Sequence, residues 1–119
     1  MKYKLSDAEY RLMELIWERE PLTTTELSKV CLEDFDWKKS TVYTMIKRMS
    51  EKGALVVEDS IISSLIKKET ADRMASEALI AKSFGGSLPN FLAAFLQDRK
   101  ITKQEAERLQ QLIREAAND

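Results

Sequence analysis

Apolar residues recur along this chain first at helical spacing, then in two short β-prone runs, then at helical spacing again. The stretch Leu5-Ser6-Asp7-Ala8-Glu9 is a capping box, with Ser6 placed to bond the Glu9 amide and the Glu9 carboxylate placed to reach back. It predicts a helix whose inner face carries Leu12, Met13, Ile16 and Trp17, with Tyr10 beside them, and which stops before Pro21. Thr23-Thr24-Thr25-Glu26 repeats the signal and opens a short second helix with Leu27, Val30 and Cys31 inward. The linker Glu33-Asp34-Phe35-Asp36-Trp37 leads to a third helix from Lys38, where Val42, Met45, Ile46 and Met49 form the buried stripe and Gly53 is the stop. Residues 54–58 and 61–66 are β-prone around Asp59-Ser60 and predict a tight hairpin.

Three helices and a hairpin in that order predict a winged helix-turn-helix domain over residues 1–69. From Thr70 the helical pattern resumes through Met74, Ala78 and Leu79 until Phe84-Gly85-Gly86 breaks it. Ser87-Leu88-Pro89 restarts it, since Ser suits a cap and Pro is tolerated in a first turn. Phe91, Leu92, Phe95 and Leu96 follow, and Thr102-Lys103-Gln104-Glu105 caps a last helix with Ala106, Leu109, Leu112, Ile113 and Ala116 on one side. Helices this short have little of their own to bury against, so residues 70–119 are expected to pair with a second copy of the chain. Leu79, Phe84, Phe91, Leu92, Phe95, Leu96, Leu109, Leu112 and Ile113 are the expected dimer contacts. The expected class is therefore mainly α with a small β-hairpin wing, an α+β fold.

Composition narrows the chemistry. The 119 residues include no histidine and one cysteine, Cys31. Zinc sites built on His and Cys, Ser-His-Asp triads and internal disulfides are excluded together, so neither catalysis nor a cofactor is expected. Cys31 lies on the apolar face of its helix and is expected to be a packing residue. No apolar run approaches the ~20 residues that span a bilayer, and Met1-Lys2-Tyr3-Lys4-Leu5-Ser6 lacks the apolar stretch of a signal peptide, so a cytoplasmic protein is expected.

The net charge of −1 does not advertise a nucleic-acid binder, but its distribution is uneven. Lys38, Lys39, Lys47, Arg48 and Lys52 face one acid, Glu51, on the third helix. Its outward face, Ser40, Thr41, Tyr43, Thr44, Lys47 and Arg48, suits entry into the major groove of double-stranded DNA. Ser40, Thr41 and Thr44 would touch base edges, while Lys38, Lys39, Tyr43, Lys47 and Arg48 would reach phosphates. Taken alone, such a face is equally that of an ordinary solvated helix.

The residues Leu5-Ser6-x-x-Glu9 through Ile16-Trp17, Asp36-Trp37-Lys38-Lys39-Ser40-Thr41-Val42-Tyr43-Thr44-Met45-Ile46-Lys47-Arg48-Met49 and Lys52-Gly53-Ala54-Leu55 resemble the penicillinase and methicillin-resistance repressors, a family that also includes copper-transport repressors. Phe84-Gly85-Gly86-Ser87, then Phe91-Leu92-Ala93-Ala94-Phe95-Leu96 and Lys100-Ile101-Thr102, resemble that family's dimerisation module. The resemblance implies a homodimer that binds an inverted-repeat operator and blocks transcription. It implies reading contacts at Ser40, Thr41 and Thr44 and backbone contacts near Lys39, Lys47 and Arg48, although Ser40 stands where members often carry Lys or Arg.

Three departures qualify it. The region matching the proteolytic induction site lies around Ala94-Phe95, where Ala94 replaces the usual Asn, which argues against induction by cleavage there and leaves a sensor protease or another inducer open. The cysteine cluster of copper-responsive members is missing, which argues against copper sensing. The wing carries Glu58, Asp59, Ser60, Ile61 and Ile62, which offer no phosphate contact and suggest a wing packed against something, such as a dimer partner. The same wing and the near-neutral charge keep open a second reading, a winged-helix module that binds protein and has little DNA affinity.

Overall fold

The computed structural model describes residues 4–117. Met1 to Tyr3, on which the reading of the N-terminus partly rests, lie outside the described residues. The element order is α1 (Asp7–Arg19), β1 (Leu22–Thr23), α2 (Thr24–Phe35), α3 (Lys39–Lys52), β2 (Leu55–Glu58), β3 (Ile61–Ser64), α4 (Lys68–Ser83), α5 (Leu88–Leu96) and α6 (Lys103–Ala117). The chain divides into two compact units between Leu79 and Ile80, inside α4.

In the first unit each early helix begins where its cap lies. Ser6 Oγ accepts from the Glu9 N–H and the Glu9 carboxylate accepts from the Ser6 N–H; Thr23 and Glu26 do the same for α2. α2 runs on through Glu33 and Asp34, which the sequence pattern places in a linker. Acids near a helix C-terminus are unfavourable to its dipole, but Phe35 packs against the core and against Trp37, with ring centroids 4.6 Å apart, and holds the last turn. Leu12, Met13, Ile16, Leu27, Cys31, Val42 and Met49 are fully buried where α1, α2 and α3 meet. Burying one Leu or Ile of this kind contributes about 1.5–3 kcal/mol.

The sheet has the antiparallel order β1-β3-β2. Asp59 and Ser60 both take positive φ, 51° and 65°, the geometry of a two-residue hairpin turn whose twist matches its strands. Val57 pairs with Ile62 and Leu22 pairs with Ile62 from the other side, so Ile62 is fully buried between two strands. The wing's apolar character is thus partly explained within one chain: it packs on β1 and the core. The Ser60 carbonyl also accepts from the Thr24 N–H at 2.9 Å, which ties the turn to the start of α2. Ile61, one residue earlier, points to the opposite face and stays 44% exposed.

α1 is joined to the sheet by Glu20, whose carboxylate accepts from the Ser64 N–H at 2.7 Å and from its hydroxyl. Ala71 is buried and Met74 packs on the same core, so the first turns of α4 fold with the winged helix. In the second unit Ser87 caps α5 and Thr102 with Glu105 caps α6. Neither α5 nor α6 has a buried residue.

Candidate nucleic-acid interface

Asp36 ends α2 in the left-handed conformation, φ 58°, which Asp adopts more readily than bulkier residues. Its N–H bonds the Leu32 carbonyl at 3.0 Å, and Trp37 and Lys38 complete the turn into α3. No side chain caps α3: Lys38 holds the cap position without a side-chain bond. The first amides of α3 therefore leave the positive end of its dipole directed outward, beside two lysines.

Val42, Met45, Ile46 and Met49 are buried, as their spacing requires, which fixes the opposite side of the helix outward. Ser40, Thr41, Thr44, Lys47 and Arg48 share that side within an arc of roughly 120°, and all are exposed, as are Lys38 and Lys39 at its start. The Thr44 hydroxyl donates to the Ser40 carbonyl at 2.9 Å, so its proton is engaged and its oxygen remains an acceptor. Among the described residues no carboxylate lies within salt-bridge distance of Lys38, Lys39, Lys47 or Arg48.

Two residues of the segment are placed differently from what charge counting suggests. The Lys52 ammonium turns back to α1 and bonds both oxygens of Glu9, at 2.9 and 3.1 Å, and the Lys4 carbonyl at 3.0 Å. Four cations, not five, are therefore left to an external anion. Burial pushes the Glu9 carboxyl up, but the bond and charge of Lys52 and the Ser6 contacts outweigh it and hold Glu9 below its ordinary range. Tyr43 is half-buried; its hydroxyl lies 3.4 Å from Thr24 Oγ1, and its ring sits 5.6 Å beneath the Lys39 ammonium. Hydrogen bonding with Thr24, then with Thr25, and the charge on Lys39 hold the phenol below its ordinary value. The hydrophobic pattern marks Thr24 only as part of a helix start, so its pairing with Tyr43 across the motif is visible only in three dimensions.

Cys31 is fully buried, and that burial, with the nearby charge of Asp34, pushes its thiol up to about 11. Every buried side-chain polar atom among the described residues has a partner. Among those residues no cluster of His, Cys, Asp and Glu is fit to hold a metal ion, and no single helix is long and apolar enough to cross a membrane.

In the second unit the expected contact residues lie at or near the surface. Phe84 and Phe91 meet edge to face at 5.3 Å, and Phe91 stacks on Phe95 at 6.0 Å. Phe84, Phe91, Leu92, Leu96 and Leu109 are half-buried, whereas Leu79 in the last turns of the first unit and Phe95, Leu112 and Ile113 here are 44–51% exposed.

Residues 5–115 match the profile of the penicillinase repressor family. The chain belongs to that family. This penicillinase repressor relative is 25% identical to the penicillinase repressor of Bacillus licheniformis, across 97% of this chain and 93% of that one. It is 23% identical to the methicillin resistance regulatory protein MecI of Staphylococcus aureus (strain N315), across 93% and 94% of the two chains. Its winged helix is similar to the solution structure of the DNA-binding domain of the repressor BlaI, with 30% identity and a TM-score of 0.51 over 59% of this chain and 93% of that one. It is also similar to the monomeric form of Bacillus licheniformis BlaI solved in complex with the blaP half-operator, with 29% identity and a TM-score of 0.51 over 57% and 88%. The family is one of transcriptional repressors, and the first unit has the fold of a repressor's DNA-binding domain.

Proposed function

We propose that the protein is a homodimeric repressor that inserts α3 into the major groove at each half of an inverted-repeat operator. The observation that carries this reading is the outward side of α3, where hydroxyls at Ser40, Thr41 and Thr44 are flanked by Lys38, Lys39, Lys47 and Arg48 with no internal counter-ion among the described residues. Ser40 and Thr41 meet base edges near the helix N-terminus, and Thr44, with its proton engaged, accepts from a base amino group or packs its methyl on a thymine. The four cations meet phosphates, the open N-terminus of α3 favours one more, and Tyr43 joins them from the Thr24 side. Residues 1–69 hold the DNA, and residues 70–119 supply pairing through the apolar surface of α5 and α6. Two half-sites one helical turn apart need reading helices about 34 Å apart.

The test is a fluorescence-anisotropy titration against the inverted repeats upstream of the protein's own gene, with scrambled DNA as control, at several salt concentrations. Lys47→Ala and Arg48→Ala should each weaken binding to operator and control alike and lower the log-log salt slope by about 0.9 per half-site. Binding that does not distinguish the operator from scrambled DNA, by a folded dimer, would overturn this reading. It would favour a protein-binding module, for which the exposed Glu58, Asp59 and Ile61 of the wing are the supporting observation.

A further inference from the structure

The start of α4 is tied to α1 by a small hydrogen-bond network. Tyr10 on α1 donates its hydroxyl proton to Asp72 Oδ1 at 2.6 Å, while the Lys68 ammonium bonds Asp72 Oδ2 and the Tyr10 oxygen, both at 2.8 Å. The Tyr10 ring meets Trp17 edge to face at 5.7 Å, and Trp17 Nε1 donates to the Ile66 carbonyl at 2.9 Å, just before the helix begins. Ala71 is buried and Met74 packs on the core. Beyond Met74 the residues from Ala75 to Leu79 are all exposed, and α4 runs on as one helix to Ser83. A helix held over its first two turns and bare afterwards has the construction of a lever.

We propose that Tyr10, Asp72 and Lys68 form a latch that fixes the direction in which α4 leaves the winged helix, and thereby sets the half-site spacing the dimer accepts. The idea rests on the operator-binding reading above. Once one winged helix is bound, the second binds at an effective concentration set by how stiffly the two are joined, and stiffness helps only at the matching distance. The latch is built from α1 and α4 and uses no residue of α3, so its three members are positioning residues. The hydrogen bonds hold Lys68 charged and Asp72 ionised, since each shifts its partner toward the charged form.

Tyr10→Phe removes the hydroxyl while keeping the ring against Trp17, and Asp72→Ala removes the centre of the latch. In the full chain both should leave half-operator affinity unchanged and weaken the full operator about threefold to tenfold. Lengthening the spacer between half-sites by one or two base pairs should penalise the wild type more than either variant, a change that mere loss of stability would not produce. Independently of DNA, nitroxides at Glu14→Cys and Ala78→Cys, diluted with unlabelled chain, should give a narrow distance distribution that broadens in Tyr10→Phe. A distribution equally narrow in the variant, or half-operator and full-operator affinity falling together, would overturn the latch. Wild-type chain that binds neither operator form would overturn the DNA reading instead, leaving the distance measurement to decide the latch.

Discussion

At the scale of single residues, the pair Glu9 and Lys52 does most to separate charge that stabilises from charge that binds. Glu9 is almost wholly buried, with its side chain 4% exposed. Its only cationic partner among the described residues comes from the far end of α3. Lys52→Ala would leave a buried carboxylate without it and should cost about 2 kcal/mol at pH 7, measured by urea unfolding. The pH dependence follows from the lowered pKa of Glu9 in the folded state. The pair's contribution is complete above the ordinary value of 4.5 and is lost as pH falls through the lower folded value. The gap between wild type and Lys52→Ala should therefore narrow on acidification to about pH 3.5, where protonating Glu9 relieves the variant.

Elements were legible in the sequence wherever their cause is local. Ser6 with Glu9, Thr23 with Glu26 and Thr102 with Glu105 sit three residues apart, so the bonds that start α1, α2 and α6 are visible in the chain itself. The buried stripe of α3 is equally plain, and with it the outward side that holds Ser40, Thr41 and Thr44. Gly53 ends that helix at φ 82°; Gly53→Ala should lower stability by about 1–2 kcal/mol without changing DNA affinity per folded molecule, a difference checked by thermal unfolding beside titration. What stayed hidden depends on distant partners. β1 is two residues long and exists because Leu22 and Thr23 meet Ile62 and Ile61. The last turn of α2 persists against its acids because Phe35 finds the core, and Lys52 leaves the basic face because Glu9 awaits it across the fold. No periodicity encodes such meetings.

At the scale of the whole molecule the two units differ in how they satisfy their apolar surface. The winged helix encloses a core, whereas α5 and α6 bury no residue fully and leave Phe95, Leu112 and Ile113 about half exposed. A second copy would cover that surface. Replacing both Leu112→Asp and Ile113→Asp should convert a dimer to a monomer in sedimentation analysis. It should reduce full-operator affinity by at least about a hundredfold, while half-operator affinity stays as it was.

The sealed thiol has a consequence for the kind of signal this protein can obey. Histidine is absent from the chain, and Cys31 is held at about 11 inside the helical core. The two side-chain types that ordinarily report acidity near neutrality and oxidant stress are thus missing or silenced. If the protein holds an operator as proposed, modest acidification or mild peroxide should leave that affinity unchanged, which titration under each condition checks. On that reading the expected inducer is a molecule that binds the protein or an enzyme that modifies it, and not a change of pH or of thiol oxidation.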